Sequence, residues 1–226
     1  MNKLILFDID KTLVPSSRAH HKAFSEAFKK VYGIDASIKI INHHGMTDQQ
    51  IIIEVLKKNG LSEQEIKSKI TECMEAMVNF FNGFIGSENI VPLDGVQELL
   101  EALNGSGFLR GLVTGNLEAI AKGKLKKAGI NHYFKIGGFG NDDINRTNLV
   151  KLAIKRARNN FSFKSNNNVL LIGDAPQDMK AGKEAGIQTI GVTTGIYSKE
   201  QLEDAGADFV VLSLKDKDEI LKIISK

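Results

Sequence analysis

Two carboxylates stand two residues apart in Asp8-Ile9-Asp10-Lys11-Thr12, directly behind the apolar run Leu4-Ile5-Leu6-Phe7. Acids so placed can hold a divalent cation and can also divide the roles of nucleophile and acid/base. A second polar cluster, Thr114-Gly115-Asn116, follows Arg110-Gly111-Leu112-Val113. A third, Gly173-Asp174-Ala175-Pro176-Gln177-Asp178, follows Val169-Leu170-Leu171-Ile172. Each cluster alone is equally a strand-ending turn with solvated side chains. Three of them behind three apolar runs specify far more.

Those runs are continuous rather than alternating, the pattern of short strands buried on both faces. In a parallel sheet their C-terminal ends lie side by side, and open α/β sheets bind ligands at that edge. The clusters can therefore converge on one cleft. From residue 94 the pattern predicts helix 94–104, strand 109–114, helix 117–128, strand 134–138, helix 146–159, strand 169–173, helix 177–185 and strand 188–192. Helix 198–205, a last strand at Phe209-Val210-Val211-Leu212 and a final helix complete the chain. Such alternation implies right-handed crossovers and a Rossmann-like, doubly wound parallel sheet, an α/β fold.

Residues 15–90 break the pattern. Ala23, Phe24, Ala27, Phe28 and Val31 recur at helical spacing, and Gly33 supplies a stop. Thr47-Asp-Gln-Gln50 and Ser62-Glu-Gln-Glu65 have the form that satisfies free N–H groups at a helix start, so helices are expected to about Asn59 and Phe80. We read 15–90 as an inserted α-helical cap domain and 1–14 with 91–226 as the core. Ser16-Ser17 and Gly86-Ser87 are the expected hinges.

At 226 residues, with 42% hydrophobic and 25% charged side chains, the composition is that of an ordinary globular protein. A net charge of +3 is too small to indicate nucleic acid or a membrane surface as partner. The lysines of Lys122–Lys127 and Lys151–Arg158 fall on predicted helices and are read as solvated faces. The single Cys73 excludes an internal disulfide framework and fits a reducing compartment. No apolar stretch reaches the roughly 18 residues of a membrane span, and no signal-type start precedes the first strand, so the expected location is cytoplasmic.

Taken together and in order, Asp8-x-Asp10-x-Thr12, Thr114-Gly-Asn116, a basic residue and Gly173-Asp174-x-x-x-Asp178 resemble the haloacid dehalogenase superfamily of aspartate-nucleophile phosphotransferases. Asp178-Met-Lys-Ala-Gly-Lys-Glu-Ala-Gly186 and Val192-Thr-Thr-Gly195 are similar to its phosphoglycolate phosphatase-type branch. The resemblance implies a phosphatase that uses Mg²⁺ on a small phosphorylated metabolite. It implies Asp8 as nucleophile and Asp10 as general acid and base, the latter with a pKa raised by its neighbouring carboxylate and lowered by the cation. Asp8, the backbone carbonyl of Asp10, Asp174 and Asp178 would hold the ion. Thr114, with Gly115 and Asn116, would bind phosphate, although Asn116 is equally well placed as a helix N-cap. Arg146 or Lys151 would be the orienting cation, with Arg146 favoured for its place at the entrance to helix 146–159. Thr12 is read as a loop support.

The same residues admit a sugar phosphomutase of that superfamily. From a different class they admit a non-enzymatic regulator phosphorylated on Asp8, and a dehalogenase is disfavoured by Asp10. Gly137-Gly-Phe-Gly140 lacks dinucleotide-loop spacing and is read as a flexible strand-end loop. His20-His21 and His43-His44 lack a flanking acid or cysteine cluster and are read as solvated or cap-surface residues. The segment His43–Thr47, joining two cap helices, is expected to overhang the cleft and touch the leaving group. Oligomeric state and substrate identity are not encoded in any motif of the chain.

Overall fold

The computed structural model describes residues 3–161, 163–164 and 168–225. Six parallel strands form one sheet: β1 (Leu4–Phe7), β2 (Leu109–Thr114), β3 (Ile136–Phe139), β4 (Val169–Gly173), β5 (Gln188–Val192) and β6 (Phe209–Val211). They lie in the order β3-β2-β1-β4-β5-β6. Every residue of β1 is buried because both faces are covered. Ile5 and Phe7 pack into one hydrophobic cluster, while Leu4 and Leu6 pack into the cluster on the opposite face. Helices α4 (Val96–Gly105), α5 (Glu118–Lys127) and α9 (Lys217–Ser225) serve the first cluster. Helices α6 (Arg146–Phe161) and α7 (Pro176–Ala185) serve the second, and α8 (Lys199–Asp204) covers the edge near β5 and β6. The chain order reverses beside β1, so β2, β1 and β4 deliver their polar C-terminal turns to adjacent places.

Between β1 and β2 lie α1 (Arg18–Tyr32), α2 (Asp48–Lys58) and α3 (Glu63–Phe84), forming a helical cap with its own apolar cluster around Phe24, Phe28, Ile52, Leu56, Met77 and Phe81. Both expected capping boxes are present, and Gly33 ends α1 in the left-handed conformation at φ 71°. Helix α3 runs a turn past the expected end at Phe80 because Phe81 is itself buried in the cap cluster. The two chain crossings between cap and core are tied together. Ser17 Oγ donates to Glu88 Oε2 at 2.8 Å, and the Ala19 N–H, in the first turn of α1, donates to the same carboxylate.

The segment Gly137–Gly140 corrects one expectation. Its first three residues are buried in β3 rather than looped out. The glycines serve close packing: a Cβ on Gly138 would meet Leu149 O of α6 at 2.2 Å. Gly138→Ala is expected to cost about 1–3 kcal/mol in urea unfolding, the range for overpacked cores. Gly83→Ala, on α3 with open space around it, is expected to be neutral or to stabilise by up to about 1 kcal/mol.

Candidate active site

The turn after β1 aims Asp8 and Asp10 differently. Asp8 N–H continues the ladder to Ile172 O at 2.9 Å, and its buried side chain lies beside Asp174 and Asp178. One oxygen of each of these three carboxylates lies within 4.8 Å of the others. Asp178 is held by the start of α7, where its Oδ2 accepts from the Ala175 N–H at 3.1 Å. Its Oδ1 is buried, accepts no hydrogen bond, and sits 2.9 Å from Arg146 Nε in a charge pairing. Helix capping and facing the site thus fall to opposite oxygens of one carboxylate.

Arg146, the first residue of α6, is buried among these acids. Its Nη2 donates to Asp8 Oδ1 and its Nη1 to Gly45 O at 2.9 Å. Lys151 is exposed and outside the site. One guanidinium does not balance three carboxylates. Burial, and then mutual repulsion, push Asp174 up to about 7. Burial also raises Asp8 and Asp178 despite the attraction of Arg146. An all-oxygen, electron-rich set of this kind suits a hard divalent cation.

Asp10 points elsewhere. Lys124 Nζ donates to both of its oxygens at 2.7 Å, and Asn116 Nδ2 donates to Oδ2 at 2.8 Å. Burial alone would raise its pKa, but Lys124, with His20 and the hydrogen bonds, holds the carboxyl below the usual range. The expected upward influence of a neighbouring carboxylate is outweighed, so Asp10 is an ionised base in this state. Thr114 is fully buried, and its Oγ1 accepts from Asn116 Nδ2 at 2.7 Å. Thr12 Oγ1 lies 3.4 Å from Asp174 Oδ1.

Three readings of the sequence are corrected here. Lys124 belongs to a run expected to be a solvated face, yet its side chain is buried and also donates to Asn116 Oδ1 at 2.7 Å. Asn116 is not the N-cap of α5. That position is Leu117, whose N–H donates to Asp48 Oδ2 at 2.8 Å, while the Glu118 N–H donates to Asn141 Oδ1. His20 is buried rather than solvated, with Nε2 3.2 Å from Asp48 Oδ2 and Nδ1 3.1 Å from Lys124 Nζ. Asp48, which opens α2, carried no distinguishing signal beyond its helix-start position. Lys124 and His20 had one available clue: each shares a helix face with the apolar residues Ala121 and Ala23 or Phe24, and so with the buried stripe.

The cap rests directly on this edge. A Cβ on Gly115 would meet Met46 O at 2.3 Å, and one on Gly45 would meet Gln177 Oε1 at 2.3 Å, so glycine permits both approaches. Asp48 N–H donates to Gly115 O at 2.8 Å, and Gln177 Nε2 donates to His44 O at 3.1 Å. Between cap and core lies a cavity of about 80 Å³. Asp8, Asp10, Thr114, Asn116, Arg146 and Asp174 border it below, with His21, Phe24, His43 and His44 from the cap. The expectation that His43–Thr47 overhangs the cleft matches this placement, whereas His21, His43 and His44 face a cavity rather than open solvent.

Comparison with known proteins gives a consistent set. A family profile described as haloacid dehalogenase-like hydrolase matches residues 5–192. Pyrophosphatase PpaX of Halalkalibacterium halodurans is 24% identical, covering 94% of this chain and 93% of that protein. Phosphoglycolate phosphatase of Vibrio parahaemolyticus is 25% identical, covering 98% and 96%. The crystal structure of a hydrolase from Pseudomonas syringae superposes with a TM-score of 0.73 at 23% identity and 99% coverage of each chain.

The acid cluster sets a pH dependence. Asp174 binds its proton more tightly folded than unfolded, so its contribution to stability is full below about pH 4 and lost as pH rises through about 7. His21, His43 and His44 are shifted down, to about 4 for His21, chiefly by burial. Their opposite contribution is complete by about pH 7. Metal-free protein should therefore gain less Tm between about pH 4 and 7 than the histidines alone would give, because the Asp174 contribution falls over the same window. Asp174→Asn should steepen the rise of Tm across that window in a thermal melt series, and added Mg²⁺ should raise Tm increasingly as Asp174 ionises.

Proposed function

The chain belongs to the haloacid dehalogenase-like hydrolases and is a phosphatase of that family, and from that premise we propose a cytoplasmic, Mg²⁺-dependent enzyme that hydrolyses a small phosphorylated metabolite through an aspartyl-phosphate on Asp8. The observation that carries this reading is the convergence of Asp8, Asp174 and Asp178 around one point beside Arg146. Asp8, Asp174, Asp178 and the backbone carbonyl of Asp10 would hold Mg²⁺, which supplies positive charge between a carboxylate nucleophile and an anionic phosphate.

Asp8 attacks phosphorus and the bond to the leaving oxygen breaks; Asp10, ionised in the free protein, takes up one proton as the phosphate anion binds and passes it to that oxygen. Asp10, ionised again, then takes a proton from water as the water attacks the aspartyl-phosphate, releasing phosphate and restoring Asp8. Arg146 orients Asp8 and a phosphoryl oxygen. Thr114 and the N–H groups of the Gly115–Asn116 turn complete the phosphate pocket. Lys124 acts through Asp10, fixing it together with Asn116 and favouring the ionised form that takes the proton from water. The cap excludes water from the transfer and limits substrate size. With the cap seated, the cavity of about 80 Å³ leaves little room on the leaving side, so larger leaving groups require the cap to lift. A lone buried thiol, pushed up to about 12 chiefly by burial, suits a reducing compartment.

Phosphate release from p-nitrophenyl phosphate is expected to require Mg²⁺ and to be abolished by a chelator or by Asp8→Asn. Retained turnover in Asp8→Asn would overturn the nucleophile assignment. Lys124→Met is expected to lower kcat by about tenfold or more, within the range for disturbed general acid–base catalysis. It should also move the acidic limb of the pH–rate profile upward, because Asp10 loses the cation that holds its carboxyl low.

A further inference from the structure

Lys11 is the one non-glycine residue with positive φ among the described residues, at 62°. A left-handed lysine costs roughly 1–2 kcal/mol, so the turn must impose it. Lys11 N–H donates to Val14 O at 2.7 Å, and Thr194 Oγ1 donates to Lys11 O. The side chain borders the cavity, and Nζ lies 3.4 Å from His44 Nδ1, on the cap wall. The other cations bordering or underlying the cavity are engaged: Arg146 with Asp8 and Asp178, and Lys124 with Asp10. Lys11 forms no ion pair among the described residues.

Three imidazoles continue the wall from Lys11. The rings of His44 and His43 stack with centroids 4.7 Å apart, and His21 meets His43 edge-on at 5.6 Å. His43 Nδ1 is buried without a hydrogen-bond partner. Burial, foremost, and the neighbouring cations lower all three pKa values, so these rings supply neutral polar edges rather than charge. One side of the cavity, within reach of the Asp174 charge, thus carries an ammonium that forms no ion pair among the described residues, beside half-buried imidazoles, in a space open only to a small ligand.

We propose that Lys11, His43 and His44 form a second anion subsite that holds a carboxylate or phosphoryl group on the leaving side of the substrate. The preferred substrate is then a compact phosphate ester or anhydride carrying a second anionic oxygen group close to the transferred phosphoryl. This rests on the phosphatase reading above and extends it to substrate class. Pyrophosphate and phosphoglycolate present the two forms of that second anion, and ethyl phosphate lacks it.

The test measures kcat/KM of the full-length Mg²⁺-loaded enzyme on all three, for wild type, Lys11→Gly, Lys11→Arg and His44→Ala. Wild type is expected to favour at least one of the two substrates with an anionic leaving side over ethyl phosphate. Lys11→Gly, which suits the left-handed turn, should reduce that preference by about tenfold to a hundredfold, mainly through KM. Lys11→Arg should retain most of it, and His44→Ala should reduce it less than Lys11→Gly. Loss confined to pyrophosphate identifies a phosphoryl-binding subsite, and loss confined to phosphoglycolate a carboxylate-binding one. An unchanged preference in Lys11→Gly, or none in wild type, overturns the subsite. Calorimetric binding of phosphoglycolate against ethyl phosphate to Asp8→Asn, with and without Lys11→Gly, reads the subsite without turnover. Preference there that Lys11→Gly removes would support the subsite even if wild type hydrolysed nothing, an outcome that would sink the phosphatase reading alone.

Discussion

Charge balance at the C-terminal edge of three neighbouring strands governs this molecule. Asp8, Asp174 and Asp178 are buried together with a single guanidinium among them, and burial, joined at Asp8 and Asp174 by mutual repulsion, pushes their carboxyls upward. Such an arrangement is costly in an apoprotein and becomes favourable when a divalent cation and a phosphate share the space. The sheet order makes the crowding unavoidable. With β1 between β2 and β4, the acids after β1 and β4 cannot diverge.

Asp10 shows the opposite solution two residues away. Its charge is met by Lys124 and Asn116, so neighbouring carboxylates on one loop experience opposite fields. The division of labour between nucleophile and acid/base follows from which partner each carboxylate faces. Lys124 also approaches His20 of the cap, and His20 approaches Asp48, which receives the Leu117 N–H of the core. Base, cap and core therefore share one buried polar network, in which removing a partner leaves the others unsatisfied.

What the sequence made legible and what it concealed divide along physical lines. The strands were readable because both faces are covered and most of their residues are apolar. The helix starts at Thr47 and Ser62 were readable because capping is local chemistry. The acids announced themselves by their place behind strands. Lys124 did not, because a lysine in Lys122-Gly-Lys-Leu-Lys-Lys127 differs from its neighbours only in the direction it faces. Helical phase with Ala121 was the sole hint. His20 and Asp48 were hidden for a further reason: their partners come from distant segments, and no local pattern encodes a tertiary pair. Gly137 and Gly138 misled because a glycine run usually signals a loop, whereas here it lets α6 approach the sheet closely.

Leu117 and Ile120 belong to α5 and its N-terminal flank, yet they pack in the hydrophobic cluster of α1, α2 and α3. Any movement that lifts those helices away must wet both side chains along with the apolar cap surface facing them. Newly hydrated apolar area carries a positive heat capacity. The equilibrium between seated and lifted cap is consequently curved in temperature, and if the departing phosphate waits on that step, turnover will follow a bent rather than a straight Arrhenius line.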